Sequence, residues 1–277
     1  MTIDAPALRH KYEGPHHLIT TSDGKTLFLR MWEPSAQTLK DSAVLIFHGI
    51  TAHSGPYSML ADPLTRRGFT VYGLDLRGHG LSDGNRGDYP SKERFVKDLC
   101  ETIAFVKERH PKVVILGHSL GVLSSVVALN NCLENIDGAV LLSGARTVRP
   151  GVYPQPSRVQ KLKIVLSSLT SPSKPVIKYG RDGMVGRNDP LFNFRYTLRF
   201  MRTAALRQMA FPKTMSFPVF VGVGDSDELF SIEACRELYE EVPSEVKEFH
   251  IAVGGKHAEF PQGSWNPLME WLEKHFS

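Results

Sequence analysis

Residues 112–121 constrain the fold more than any other stretch. Lys112 opens a continuous apolar run, Val113, Val114, Ile115 and Leu116, and Gly117-His118-Ser119-Leu120-Gly121 follows directly. A short apolar run closed by glycine reads as a strand buried on both faces. Beyond it the pattern predicts a helix to about Cys132. A serine flanked by glycines two residues away, at a strand-to-helix junction, is the signature of a nucleophile elbow. The serine sits on a strained turn, so those neighbours must be small. The turn lifts its hydroxyl to the carboxyl edge of the sheet and places it at a helix N-terminus. There the helix dipole favours a developing oxyanion.

The chain around this junction alternates strands and helices. A hairpin is expected from His17–Thr21 and Thr26–Trp32 about the turn Ser22-Asp23-Gly24. Ala43–Phe47 reads as a buried strand, Tyr57–Arg67 as a helix closed by Gly68, and Phe69–Leu74 as the next strand. Ser91 caps a helix whose Phe95, Leu99, Ile103 and Val106 share one face. Ala139–Leu142 and Phe217–Val223 are further buried strands. A helix from Ser231, a strand over Val246–Val253 and a last helix capped by Asn266, with Pro267 at its first position, complete the series. Repeated strand–helix units imply an α/β fold with a mostly parallel sheet flanked by helices.

The alternation breaks between the fourth and fifth of these helix-linked strands. Residues 146–213 carry 14 Lys/Arg and only two acids, Asp182 and Asp189. Their net charge of +12 leaves −8 for the rest of a chain whose total is +4. A shift this sharp marks an inserted unit. The division expected is a core over 1–145 and 214–277, with a basic cap, or lid, over 146–213. Within the cap, Val159, Leu162, Val165, Leu166 and Leu169 fall at helical spacing beside Arg158, Lys161 and Lys163. Phe194, Leu198, Met201, Ala205 and Met209 form a second such stripe, with Arg195, Arg199 and Arg202 opposite. Helices of this kind suit a lid resting on an anionic lipid surface. Nucleic acid is not expected as a partner, because no zinc finger, RNP motif or basic–aromatic ladder accompanies the charge.

Nothing among the 277 residues approaches an 18-residue apolar run, and residues 1–17 lack an apolar signal core. The three cysteines, Cys100, Cys132 and Cys235, are far apart and odd in number. That argues against a disulfide framework and a structural zinc site. The expectation is a soluble, reduced, cytoplasmic protein, at most peripheral at a membrane.

A serine nucleophile needs a base, and the base needs an orienting acid. In the elbow architecture they follow in the order Ser, Asp/Glu, His. His257, just past the last strand in Gly254-Gly255-Lys256-His257, is the expected base. The acid is expected after the fifth of those strands, where Asp225, Asp227 and Glu228 stand. Asp227 is favoured, because a residue abutting the strand, as Asp225 does, more often bonds local turn N–H groups. Two N–H donors should meet the oxyanion. One belongs to Leu120, after the nucleophile. The other is assigned to Ile50, after the turn that Gly49 permits, with His48 propping the loop. The Gly-spaced loop Asp75–Gly84 has no phosphate-binding spacing and reads as packing beneath the site.

The ordered set His48-Gly49, Asp75 with Gly78-His79-Gly80 and Ser82, Gly117–Gly121, Gly224 with Asp227, and His257 resembles the monoacylglycerol lipase and lysophospholipase branch of the serine α/β-hydrolases. The resemblance runs in order over nearly the whole chain. Asp189-Pro190-Leu191 resembles the turn near the end of that family's cap, and Ala52 stands where relatives often have Glu. The resemblance implies an α/β-hydrolase fold, Ser119, Asp227 and His257 as triad, and Ile50 and Leu120 as oxyanion donors. It implies hydrolysis of fatty acyl esters, monoacylglycerols foremost, through an acyl-enzyme and without metal or organic cofactor. A lysophospholipase, a short-chain carboxylesterase or thioesterase, and a receptor that keeps the triad without turnover are the alternatives.

Overall fold

The computed structural model describes residues 4–35, 39–153, 156–180 and 184–277. A short helix, α1 (Ala5–His10), precedes the hairpin of β1 (His16–Thr20) and β2 (Thr26–Trp32). Then follow β3 (Ser42–Phe47), α2 (Ser58–Thr65), β4 (Thr70–Leu74), α3 (Lys92–Lys107), β5 (Lys112–His118), α4 (Leu120–Asn131) and β6 (Gly138–Leu142). An intervening segment carries α5 (Arg158–Thr170), the two-residue strands β7 (Ile177–Lys178) and β8 (Arg195–Tyr196), and α6 (Leu198–Thr203). The main series resumes with β9 (Val219–Gly224), α7 (Ile232–Glu240), β10 (Lys247–Ala252) and α8 (Asn266–Phe276).

Eight strands form one sheet in the order β1-β2-β4-β3-β5-β6-β9-β10. The six from β4 to β10 run parallel, and the hairpin joins antiparallel through β2. Every residue of β3, β6 and β9 is buried, as their unbroken apolar runs require. Successive side chains enter opposite layers. Leu45, Phe47, Val113 and Ile115 pack with α3 and α4 on one face. Val44, Ile46, Val114 and Leu116 pack with α2 and α8 on the other. The carboxyl ends of the parallel strands therefore meet along one edge, where the loops after β3, β5, β9 and β10 converge.

Three expectations need correction. Cys100, in α3, and Cys132, just past α4, form a disulfide with their Cα atoms 5.7 Å apart, and Cys235 alone is a free, buried thiol. The pairing comes from the packing of α3 against α4, which a separation of 32 residues does not reveal. Helix α8 begins at Asn266 with Trp265 as its N-cap, because Gly263 at φ +79° turns the chain and accepts the Asn266 N–H. The second apolar stripe of the insertion is not one helix. Arg195–Tyr196 pairs as a strand with Ile177–Lys178, and the Thr197 hydroxyl, accepting the Phe200 N–H, starts α6 only at Leu198.

The segment from Asn193 to Phe200 is held firmly to the rest of the chain. Asn193 donates its backbone N–H to Thr51 and its amide to the Gly78 carbonyl. Arg199 forms an ion pair with Asp88, so its charge is not free for an external partner. Tyr196 and Phe200 are buried in the main core. Helix α5 is the opposite case, since none of its residues is buried. Arg181 and Asp182 of the basic stretch lie outside the described residues. Among those described, no helix is long and apolar enough to cross a membrane.

Candidate active site

The elbow is built by exclusion of side chains. Ser119 adopts φ +59°, a left-handed conformation that costs a non-glycine residue about 1–3 kcal/mol. A Cβ on Gly117 would lie 2.2 Å from the Gly121 carbonyl oxygen, and one on Gly121 would lie 2.0 Å from that of Phe47. Both contacts are to backbone, which cannot step aside. The two glycines thus let β5, β3 and the start of α4 close around the turn, and Ser119 stands at its apex as the N-cap of α4.

Ser119 and His257 are both buried, and the Ser119 Oγ lies 3.0 Å from His257 Nε2. His257 Nδ1 lies 3.0 Å from Asp227 Oδ2. The other oxygen of Asp227 accepts the N–H groups of Leu229 at 2.8 Å and Phe230 at 2.9 Å. Burial acts to raise the Asp227 pKa. The hydrogen bond from His257 and the two backbone donors outweigh it, so the carboxyl is held below its ordinary range. Asp227 is thus an ionised acceptor that obliges His257 to carry its proton on Nδ1 and leaves Nε2 free to accept from the serine. Asp225 is exposed and points elsewhere, accepting the Gly254 N–H and the Ser226 hydroxyl. Glu228 accepts the backbone N–H of His257 at 3.0 Å, which fixes the loop rather than the ring.

The loop after β3 approaches this group closely. A Cβ on Gly49 would come 3.3 Å from that of Ser119, a tight contact that glycine avoids. His48 is fully buried and its pKa is pushed down to about 4, chiefly by burial. Its Nε2 accepts the Leu76 N–H, so the neutral ring carries its proton on Nδ1 and donates to the Gly49 carbonyl at 2.7 Å. That carbonyl shares a peptide plane with the Ile50 N–H. The Ile50 carbonyl in turn accepts from Tyr196 at 2.5 Å and from His79 at 3.0 Å. The hydrogen bonds of the described residues give neither the Ile50 nor the Leu120 N–H an acceptor. Asp75 lies beneath, accepting the N–H groups of Ser54 and Leu81.

A cavity of about 360 Å³ opens over Ser119. Ile50, Ala52, Pro56, Met59, Phe192, Leu229 and Phe260 give it largely apolar walls. Its charged groups are engaged: Asp189 with His53 at 3.0 Å, Glu228 with the His257 backbone, and Lys256 with Glu259. Among the described residues no group of His, Cys, Asp or Glu has the arrangement of a metal site. Sequence reasoning did not single out Tyr57 or the side chain of His118, both of which line this cavity. They are 61 residues apart and meet only through the fold, so no spacing could have flagged the pair.

Sheet, elbow and cavity define a protein of the α/β-hydrolase class. The chain belongs to the hydrolase family described as serine aminopeptidase, S33, whose profile matches residues 39–260. It is 27% identical over 264 residues to a monoglyceride lipase of Rattus norvegicus, covering 89% of this chain and 84% of that one. It is 26% identical over 278 residues to a monoacylglycerol lipase of Mycolicibacterium smegmatis, covering 94% and 97%. A solved monoacylglycerol lipase of Paleococcus ferrophilus superposes with a TM-score of 0.70 at 27% identity, over 90% of this chain and 99% of its own. These relatives agree with the branch that the sequence motifs resemble.

Proposed function

We propose that this protein hydrolyses fatty acyl monoesters, monoacylglycerols foremost, through an acyl-enzyme on Ser119. His257 takes the Ser119 proton as the hydroxyl attacks the ester carbonyl, and the Ile50 and Leu120 N–H groups receive the oxyanion. The resulting imidazolium, stabilised by Asp227, protonates the leaving alcohol. Water then enters, gives its proton to His257, and attacks the acyl carbonyl to free the acid and Ser119. The observation that carries this reading is the unbroken chain Ser119–His257–Asp227, two contacts of 3.0 Å each, opening on an apolar cavity. The cavity also supports a second reading, a carboxylesterase for simple alkyl esters, since Ala52, Pro56, Met59 and Phe260 offer a polyol no hydrogen bond from their side chains. The test is a panel of one acyl group esterified to glycerol, lysophosphatidylcholine, ethanol and a thiol. Highest kcat/KM on the glycerol ester supports the first reading. Preference for the ethyl ester supports the second, and binding without turnover on any of them defeats both.

Residues 146–213 serve in this reading as the cap, and α5 is its lipid-facing part. Val159, Leu162, Val165, Leu166 and Leu169 are half to three-quarters exposed, flanked by exposed Arg158, Lys161 and Lys163. Each basic side chain near an acidic bilayer contributes about 1 kcal/mol, so attachment is reversible and weakens with salt. Co-sedimentation with anionic vesicles should fall when Leu162, Leu166 and Leu169 are replaced by Ser. Equal recovery of this variant and the parent would remove α5 from the account.

A further inference from the structure

Two histidines and a tyrosine form a second hydrogen-bonded chain beside the first, and its direction follows from the chemistry of its ends. The Gly49 N–H can only donate, and it donates to the Tyr57 hydroxyl at 2.8 Å. The His257 carbonyl can only accept, and His118 Nε2 lies 2.8 Å from it. His118 Nε2 therefore carries a proton. Burial pushes the His118 imidazole down to about 3, so the ring is neutral and its Nδ1 is bare. The Tyr57 hydroxyl lies 2.8 Å from that Nδ1 and donates to it. Every proton is accounted for, and the order Gly49, Tyr57, His118, His257 has one sense throughout.

The ends of this chain are the informative part. Gly49 precedes the Ile50 N–H, and His48 holds the Gly49 carbonyl. The far end is the backbone of His257 itself. The chain thus ties the loop bearing an oxyanion donor to the loop bearing the base, and it runs through His118, the residue before the nucleophile. The Phe260 ring meets His118 edge-on with centroids 5.8 Å apart, and Tyr57 and His118 are both buried. Neither side chain takes part in the proton transfers between Ser119 and His257.

We infer that Tyr57 and His118 are positioning residues that set the oxyanion donor and the base in register with each other. The inference rests on the roles proposed above for Ile50 and His257. Its cost when broken is a displacement of both loops by a fraction of an ångström to an ångström, which in a preorganised site lowers turnover about 10- to 100-fold. Ground-state binding of the acyl chain does not use this register, so KM should stay within about twofold.

The test uses the full chain with Tyr57→Phe, His118→Gln, the double variant and Ser119→Ala, assayed on a soluble short-chain ester well below each melting temperature. Expected is a 10- to 100-fold fall in kcat for each single variant, with KM nearly constant. The double variant should be no worse than the weaker single one, because the chain is cut once. Affinity for a boronic acid that adds to the serine should fall in step with kcat, which a merely structural role would not produce. Additive losses, or kcat within twofold of the parent, overturn the inference. Activity retained in Ser119→Ala instead overturns the nucleophile assignment, and so separates the two failures. Should the variants not fold, the ¹⁵N ring shifts of His118 in the unaltered protein decide. The Nε2–H tautomer is expected at pH 7, and the Nδ1–H tautomer contradicts the chain.

Discussion

Replacing Asp227 with Asn should disable the protein through the tautomer of one ring. The Asp227 side chain is fully buried and makes three hydrogen bonds, two of them from the backbone N–H groups of Leu229 and Phe230 to the same oxygen. Those donors require an oxygen opposite them, so an asparagine is forced to turn its NH₂ toward His257 Nδ1. A donor there makes Nδ1 the acceptor and moves the ring proton to Nε2, the atom that must take the Ser119 proton. In a serine protease the same change lowers turnover about 10⁴-fold, equivalent to about 5.5 kcal/mol in the barrier. The geometry here predicts a loss of that order. The control is Asp225→Asn. Asp225 is exposed, and an asparagine keeps an oxygen for the Gly254 N–H, so the loss should stay within a few-fold. Steady-state kcat on one soluble ester measures both. A loss at Asp225 equal to that at Asp227, or a loss below about tenfold at Asp227, would refute the reasoning.

Three further outcomes follow from other parts of the fold. Gly121→Ala should yield little active protein even though alanine favours helices, because its Cβ meets the Phe47 carbonyl at 2.0 Å; parental kcat and melting temperature would contradict this. Buried His48 is pushed down to about 4 and His118 to about 3, while the unfolded chain protonates both near pH 6.5. The unfolded state therefore binds more protons below that pH, and stability is lost as pH falls from about 6.5 toward 4. His48 alone accounts for about 3 kcal/mol by this argument, and urea midpoints across that interval check the slope. Closing a loop of 32 residues between Cys100 and Cys132 is worth about 3.7 kcal/mol on the chain-entropy model. Cys100→Ser should lower the melting temperature and leave kcat at 25 °C unchanged, and mass spectrometry of the alkylated unfolded parent should count one free thiol.

Much of this fold is legible in the sequence, because its inner strands are buried on both faces. Ala43–Phe47, Val113–Leu116 and Ala139–Leu142 are unbroken apolar runs for that reason, and each lies within a strand. The elbow is legible because steric exclusion around Ser119 leaves a trace in residue type, Gly117 and Gly121. That Ser119, His257 and Asp227 meet is legible from chain order together with the turn chemistry that sets Asp225 aside. Features made by tertiary contact left no such trace. The Cys100–Cys132 bond depends on how α3 meets α4. The link from Tyr57 to His118 depends on how the segment after β3 meets the end of β5. The stripe from Phe194 to Met209 shows how periodicity misleads. Its spacing fits a helix, but the pairing of Arg195–Tyr196 with Ile177–Lys178 and the ion pair of Arg199 with Asp88 shape that stretch instead.

The most direct test of the central claim is the site of covalent labelling by a fluorophosphonate, read by peptide mass spectrometry. The account predicts a single adduct on Ser119, formed rapidly in the parent, absent from Ser119→Ala, and greatly slowed in His257→Ala because the hydroxyl loses its base. An adduct on any other serine, or a labelling rate indifferent to His257, would contradict it.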